Sequence, residues 1–362
     1  MRLPFATLFV FLVACGGSTD DNAAAGGTAG QTGGGGSGGA TGGGGGSAGS
    51  AVGGAAGSAS FGGLGGWGPA GEHAVTRIAV GHATWGPTPT PASVFFGVSE
   101  QISSGKHVVY RLDKATGNAN VVAEYPADGT SHAVTEERVI VAGHGKIIEG
   151  PPPDGWLKSI DVASGVTTEI ATFPQATPIG LVVSGDQLWF IVDGMLSRIP
   201  LAGGAVEPII AVTDVSSFAT SGTRVFMTGA SGISAYDSST ASVVPVATWT
   251  EAWSDQKLRA GWFYWRTMTA SPALIRVAEA GGAPAEILPT SGLSFAVGAH
   301  HFRDGGVCPS ATVVRANLAG AGSADWVTGG CYLSGLVIDG EHLYFFDSQP
   351  SGLADLVRVD VE

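Results

Sequence analysis

Charge is what this sequence has least of. Only 13% of its 362 residues are Asp, Glu, Lys or Arg, against ~25% in an ordinary soluble domain. Lys and Arg together number 17 against 30 acids, for a formal net charge of −13. That leaves no basic footprint for nucleic acid, which is excluded as a partner. Cysteine is scarce as well, at three residues. No Cys-x-x-Cys, His-x-x-x-His or His-Glu-x-x-His occurs, so common metal-ligand spacings are missing and no cofactor is expected. Residues 72–362 hold no Gly-x-Ser-x-Gly elbow, and no Gly-Lys-Ser/Thr follows the glycine runs. Helical periodicity is absent throughout.

Glycine, by contrast, is abundant and uneven. Of the 56 residues from 16 to 71, 26 are Gly, the rest mostly Ala, Ser and Thr, with Asp20 and Asp21 the only charges. Such a segment has too little apolar side chain to offset the entropy of ordering, and reads as a disordered tether over 15–71. Its root-mean-square reach is ~40 Å by the Gly-rich chain rule. Before it, Met1-Arg2 supplies one positive charge and residues 3–13 form an apolar run. That run is too short to span a bilayer, which takes ~20 residues, and has the size of a signal-peptide core. It ends in Leu12-Val13-Ala14-Cys15. Small residues before a Cys at this position resemble the lipobox of bacterial lipoproteins. The resemblance implies cleavage after residue 14, acylation of Cys15, and a chain exported and lipid-anchored to the cell envelope. The next residue, Gly16, is not Asp, which by the same resemblance points to the outer membrane of a Gram-negative bacterium. Setting Cys15 aside leaves Cys308 and Cys331, and an even remainder in an exported protein reads as one disulfide.

The remaining residues, 72–362, alternate short runs of Val, Ile, Phe, Tyr and Trp with Gly, Ser, Asp and Pro, an all-β pattern. The clearest unit spans 180–212 and parses into strands at 180–183, 188–192, 196–201 and 206–212. The last unit repeats it as GLVIDGEHLYFFD, then DLVRVDVE. A third-strand position recurs at Arg111, Ser159, Arg198, Ala235, Arg276, Arg315 and Arg358, with spacings of 48, 39, 37, 41, 39 and 43. A period of ~40–45 residues with four strands per unit predicts the blades of a β-propeller. Seven positions predict seven blades. Residues 300–306, HHFRDGG, make a poor second strand, so six remain possible. The Leu-Trp-Phe and Leu-Tyr-Phe second strands resemble bacterial seven-bladed propellers and the YWTD-type repeat, although the Tyr-Trp-Thr-Asp motif itself is absent. The five recurring arginines are expected to lay their stems on apolar neighbours rather than ring an anion.

Propeller strands alternate in direction. Connections between first and second and between third and fourth strands therefore share one face, and the others share the opposite face. The second set is expected to hold nearly all the loop length, at 99–106, 143–156, 267–272, 304–311 and 347–354. Long loops on a rigid scaffold are where binding resides. This face gathers Trp85, Trp156, Trp249, Trp253 and Tyr332, with His144 and Arg303, as candidates for stacking on a neutral glycan or clamping a peptide or envelope protein. Each aromatic could equally be packing between blades. No catalytic residues are assigned. The expectation is a monomeric, non-catalytic propeller lipoprotein with a binding or scaffold role. A lyase or hydrolase with its site in the channel mouth, or a purely structural envelope protein, are the alternatives. The last blade has only three strands before Glu362, and 74–80, AVTRIAV, has no home in the first blade. An N-terminal strand completing the C-terminal blade is therefore expected.

Overall fold

The computed structural model describes residues from Val75 to Val361, apart from 100–105, 127–128, 145–152, 214, 230–231, 249–252, 268, 270, 290–294, 299, 306–307, 309–310, 319–322 and 352. Two short strands at 59–60 and 68–69 are also described. The apolar run, Cys15 and nearly all of the glycine-rich segment lie outside these residues, as does Trp249.

Two strands precede the ring, β1 (Ala59–Ser60) and β2 (Gly68–Pro69). The first blade takes the second half of β3 (Val75–Pro89), with β4 (Ser93–Ser99), β5 (Lys106–Asp113) and β6 (Asn118–Pro126). The second holds β7 (Gly129–Val134), β8 (Arg138–His144), β9 (Gly155–Asp161) and β10 (Thr167–Phe173). The third holds β11 (Ile179–Ser184), β12 (Gln187–Val192), β13 (Met195–Pro200) and β14 (Glu207–Ala211). The fourth holds β15 (Val215–Ser221), β16 (Arg224–Gly229), β17 (Gly232–Asp237) and β18 (Ser242–Thr248). The fifth holds β19 (Trp253–Arg259), β20 (Trp262–Thr267), β21 (Ala273–Ala278) and β22 (Ala285–Pro289). The sixth holds β23 (Phe295–Val297), β24 (His300–Gly305), β25 (Ala311–Asn317) and β26 (Ser323–Gly330). The seventh holds β27 (Tyr332–Asp339), β28 (His342–Ser348) and β29 (Ala354–Asp360), completed by the first half of β3. All neighbouring strands pair antiparallel. The chain is a seven-bladed β-propeller, and HHFRDGG does supply its second strand there, as β24.

Ring closure follows the expected route. Residues 75–81 of β3 run against β29, from Val359↔Val75 to Ala354↔Gly81, and the same strand continues from His82 along β4. β3 therefore belongs to two blades, and joins them into one sheet of eight strands. β1 pairs outside β6 of blade one, and β2 outside β26 of blade six. The segment before the ring thus reaches the outer edges of the two blades that flank the closing one.

Period-two alternation explains the core. In a strand, successive side chains face opposite sides of the sheet, which in a radial blade means opposite neighbours. Phe95 packs with Val139, Val141 and Trp156 of blade two, and the adjacent Phe96 with Tyr344 and Phe346 of blade seven. Leu188 and Phe190 join blade two, while Trp189 and Ile191 join blade four. The described buried residues form seven apolar clusters, each spanning one seam between consecutive blades. The second strands of six blades are largely buried and carry apolar runs, whereas β24 of blade six is polar and half-buried over most of its length.

The recurring third-strand position has a structural meaning. Arg111, Ser159, Arg198, Ala235, Arg276, Arg315 and Arg358 pair with Phe95, Ile140, Trp189, Phe226, Tyr264, Phe302 and Tyr344. Each of those second-strand residues belongs to the seam with the following blade. Where the position is small it is buried, as at Ser159 and Ala235. Where it is Arg, the stem covers the seam and the head finds a partner. Arg111 Nε donates to Ser93 Oγ at 2.7 Å, and Arg198 Nε to Glu207 Oε2 at 2.8 Å. The Arg276 and Arg315 guanidiniums sit 4.5 and 4.3 Å from the ring centroids of Trp262 and Trp326.

Turn chemistry repeats as well. The third strands of blades one, two and four end in Asp113, Asp161 and Asp237, each accepting from a Ser or Thr backbone N–H and hydroxyl in the turn that follows. Those bonds hold the Asp237 carboxyl down at about 2. Gly117 and Gly165, at φ 70° and 69°, then supply the left-handed step into the outer strand.

Candidate functional site

The two faces of the ring differ less in loop length than the sequence predicts. The connections from third to fourth strand, such as 201–206 and 279–284, are as long as most on the opposite face. The asymmetry of length reduces to the insertion between β8 and β9 (145–154). Polar bonds between blades occur toward both faces; toward the one with the passages between blades, Gly180 N donates to Ser131 Oγ at 3.1 Å and Thr228 Oγ1 to Gln256 Oε1 at 2.6 Å. On the face of the first-to-second and third-to-fourth connections, Arg138 Nη1 donates to Leu201 O at 3.1 Å, from blade two to three. Arg224 Nη1 donates to Glu279 O at 3.3 Å, from blade four to five. Both arginines open a second strand, so this is one bond used twice. Trp326 Nε1 donates to Asp360 O at 3.0 Å, Ala92 N donates to Glu136, and Lys114 pairs with Asp339. These contacts tie successive blades and occupy this face with structure.

The opposite face carries the ends of the second strands and the passages between blades. On it, at the first residue of β27, Tyr332 is 59% exposed, and Leu353, before β29, is 50% exposed. Ile179, at the start of the innermost strand of blade three, is 44% exposed across the ring from them. Beneath Tyr332 lies a polar nucleus. Cys308, between β24 and β25, is disulfide-bonded to Cys331, the residue linking β26 to β27. The Cys331 backbone N–H donates to Asp347 Oδ1 at 2.8 Å. Asp347 is fully buried and its Oδ2 accepts from Arg77 Nη2 at 3.1 Å. The same guanidinium nitrogen pairs with Asp355. Burial pushes the Asp355 carboxyl up, the Arg77 cation pulls it down, and the Asp347 charge adds to the rise.

The other candidate residues divide by environment. Trp156 is 8% exposed and belongs to the seam between blades one and two, with Lys158 Nζ 4.3 Å from its ring centroid. Trp85 lies in the same seam. Its ring stacks on His132 at 3.8 Å, and its Nε1 donates to the Tyr125 hydroxyl at 3.1 Å. Gly97 makes room for it, since a Cβ there would fall 1.9 Å from Trp85 Nε1. These two indoles pack blades together. His144 and Arg303 are half-buried, at the end of β8 and within β24. Trp253 opens β19, its side chain outside the described part, and Trp249 lies outside altogether. The structure therefore brings Trp85 and Trp156 into one seam and leaves His144 on the neighbouring strand; it does not bring Arg303 to them. His300 and His301 point to opposite faces of β24, as the alternation requires. His301 is fully buried, and burial with the Arg303 cation lowers its imidazole to about 4. Burial alone lowers His132 to about 4. Among the described residues no three His, Cys, Asp or Glu side chains are grouped to hold a metal, and no helix is long and apolar enough to cross a membrane.

The nucleus of Arg77, Asp347 and Asp355 has no signature in the sequence, because Arg77 and Asp347 are 270 positions apart. Only the expectation that 74–80 closes the last blade could have pointed to it.

Solved structures share this fold. That described as "Structure of U3-55K" matches with a TM-score of 0.55 at 11% identity, over 81% of this chain and 100% of its own. A prolyl endopeptidase structure matches with a TM-score of 0.53 at 16% identity, over 78% of this chain and 50% of that one. The present chain thus spans half the length of that peptidase. BamB from Moraxella catarrhalis matches with a TM-score of 0.45 at 14% identity, over 74% and 82%. At such identities the likeness is one of fold, and propellers host many unrelated activities. No family model matches the chain, and no curated protein does.

Proposed function

We propose that this chain is an exported, lipid-anchored propeller of the cell envelope, which binds a protein or peptide partner without catalysis. Binding uses the face that bears Tyr332, Leu353 and the 145–152 insertion. The observation that carries this reading is the exposure of Tyr332 and Leu353 on one face, at 59% and 50%, with the 145–154 connection on that same face. Aromatic side chains are enriched at interfaces, where one rigid body covers much area at little cost in entropy. The address rests on the apolar run ending at Cys15, and the Cys308–Cys331 disulfide suits an oxidising compartment. The perturbed histidines, His132 and His301, are explained by burial, His132 stacked on Trp85 in the seam between blades one and two. A charge of −13 favours a neutral or cationic partner surface.

The test is capture from envelope extract by the full chain, and by a Tyr332→Ser, Leu353→Ser variant. A partner held by the first and lost by the second, at unchanged thermal unfolding, supports the reading. Equal capture by both would move the functional surface elsewhere.

A further inference from the structure

We infer that the Cys308–Cys331 disulfide is a redox-sensitive latch on ring closure, acting through the buried carboxylate of Asp347. Three features meet at one point. Cys331 is the single residue between the last strand of blade six and the first of blade seven, so its backbone position is that of the junction. The disulfide fixes this junction to the connection between β24 and β25. The Cys331 N–H is aimed at Asp347 Oδ1, and Asp347 Oδ2 in turn accepts from Arg77 on the strand that closes the ring. A carboxylate with no exposure needs each of its donors, because water cannot replace one that moves away. Holding Cys331 in place therefore keeps Asp347 solvated by protein and available to Arg77.

The chemistry is a two-electron exchange. A dithiol reductant attacks the disulfide, two cysteine thiols form, and the reductant leaves as its own disulfide. Oxidation by a disulfide of suitable potential reverses it. Reduction frees the junction, the Cys331 amide drifts from Asp347, and the pairing of 75–81 with β29 weakens first. The remaining seams, closed by apolar packing, are not addressed by this path.

The experiment uses the full chain carrying Cys15→Ser, so that 308 and 331 are its only cysteines. Hydrogen exchange is followed by mass spectrometry, oxidised and after reduction by dithiothreitol, with free thiols titrated to confirm the state. On reduction, exchange in peptides covering 75–81 and 354–360 should accelerate at least tenfold more than in 187–200 of blade three, which reads the general loss of stability on opening the loop. In Asp347→Asn the oxidised protein should already exchange fast in 75–81, and reduction should add less than twofold. An Arg77→Lys variant gives the same comparison if the first does not fold. Unchanged exchange in 75–81 after complete reduction would overturn the latch. So would equal acceleration in every blade, which would make the disulfide a global restraint, and so would full additivity of reduction and Asp347→Asn.

Discussion

Arg77 Nη2 lies 3.1 Å from Oδ2 of Asp347, and both side chains are buried at the seam where the two ends of the chain meet. Either charge would be poorly solvated there without its partner. Breaking a buried pair by removing one partner strands a charge in low dielectric, which costs ~3–5 kcal/mol. Arg77→Met should therefore lower the unfolding free energy in urea by about that amount. A loss below ~1 kcal/mol would mean that the remaining donors, the Cys331 N–H and Gln349 Nε2, are enough to hold Asp347.

Deleting 72–81 should do more than remove one strand. With 75–81 gone, β29 becomes an open edge and the seams beside blade seven lose their alignment. A single cooperative transition at much lower urea is expected, followed by circular dichroism and tryptophan fluorescence together. A truncated chain as stable as the parent would show that apolar seams alone close the ring.

The paired substitution Cys308→Ser, Cys331→Ser opens a loop with a sequence separation of 23. The chain-entropy model assigns ~3 kcal/mol to a loop of that size. Denatured, unreduced Cys15→Ser protein should accordingly take up no maleimide. Two equivalents of label would disprove the bridge in the isolated protein.

Acid should weaken the fold through two histidines. In the folded state His132 and His301 are held to about 4, while an unfolded histidine titrates near 6.5. The folded values are depressed, so the contribution is whole above pH 6.5 and is lost as pH falls from 6.5 towards 4. In that window each group costs about 1.4 kcal/mol per pH unit. His301→Asn should remove roughly half of the slope. Urea midpoints measured every half unit from pH 7 to 4.5 would show it, and a flat profile would refute it.

If Cys15 is acylated, the native protein should partition into detergent, and Cys15→Ser should yield a soluble product or an uncleaved precursor. Unchanged partitioning of the variant would remove the lipid anchor. The insertion is tested separately by replacing 145–152 with a short Gly-Ser turn. The excision must stop before Asp154, whose carboxylate accepts from Gln175 N, and before Gly155, where a Cβ would fall 2.0 Å from Ala176 O. Intact folding with loss of partner capture is expected, and unaltered capture would count against the insertion.

Architecture was legible because a propeller writes its period into the chain. The position shared by Arg111 and Arg358 recurs because every blade must offer its neighbour the same face. Asp followed by Ser or Thr recurs at the ends of the third strands of blades one, two and four, where the side chain caps the turn. The strand boundaries expected for 180–212 fall within a residue or two of β11 to β14 for that reason. The site was legible only in part. Tyr332 could be placed on its face by counting connections, but the exposure that distinguishes it from Trp156 could not, since both are aromatics beside a strand end. Which indole is swallowed by a seam depends on a glycine opposite, as Gly97 is to Trp85, and that pairing is tertiary. Arg77 and Asp347 were invisible for the same reason.

β3 also imposes a clock on the molecule. Ribosomes make a chain from its N-terminus, so 75–81 emerges first among the strands of the ring, and its partner β29 emerges after all the others. Blades one to six can assemble in order, but 75–81 must wait, unpaired, for β29. A chain that stops before Ala354 keeps six complete blades, and both 75–81 and β28 then present a bare edge. In this ring, closure is therefore the pairing that joins the earliest-made strand to β29, and it cannot precede the synthesis of every blade between them.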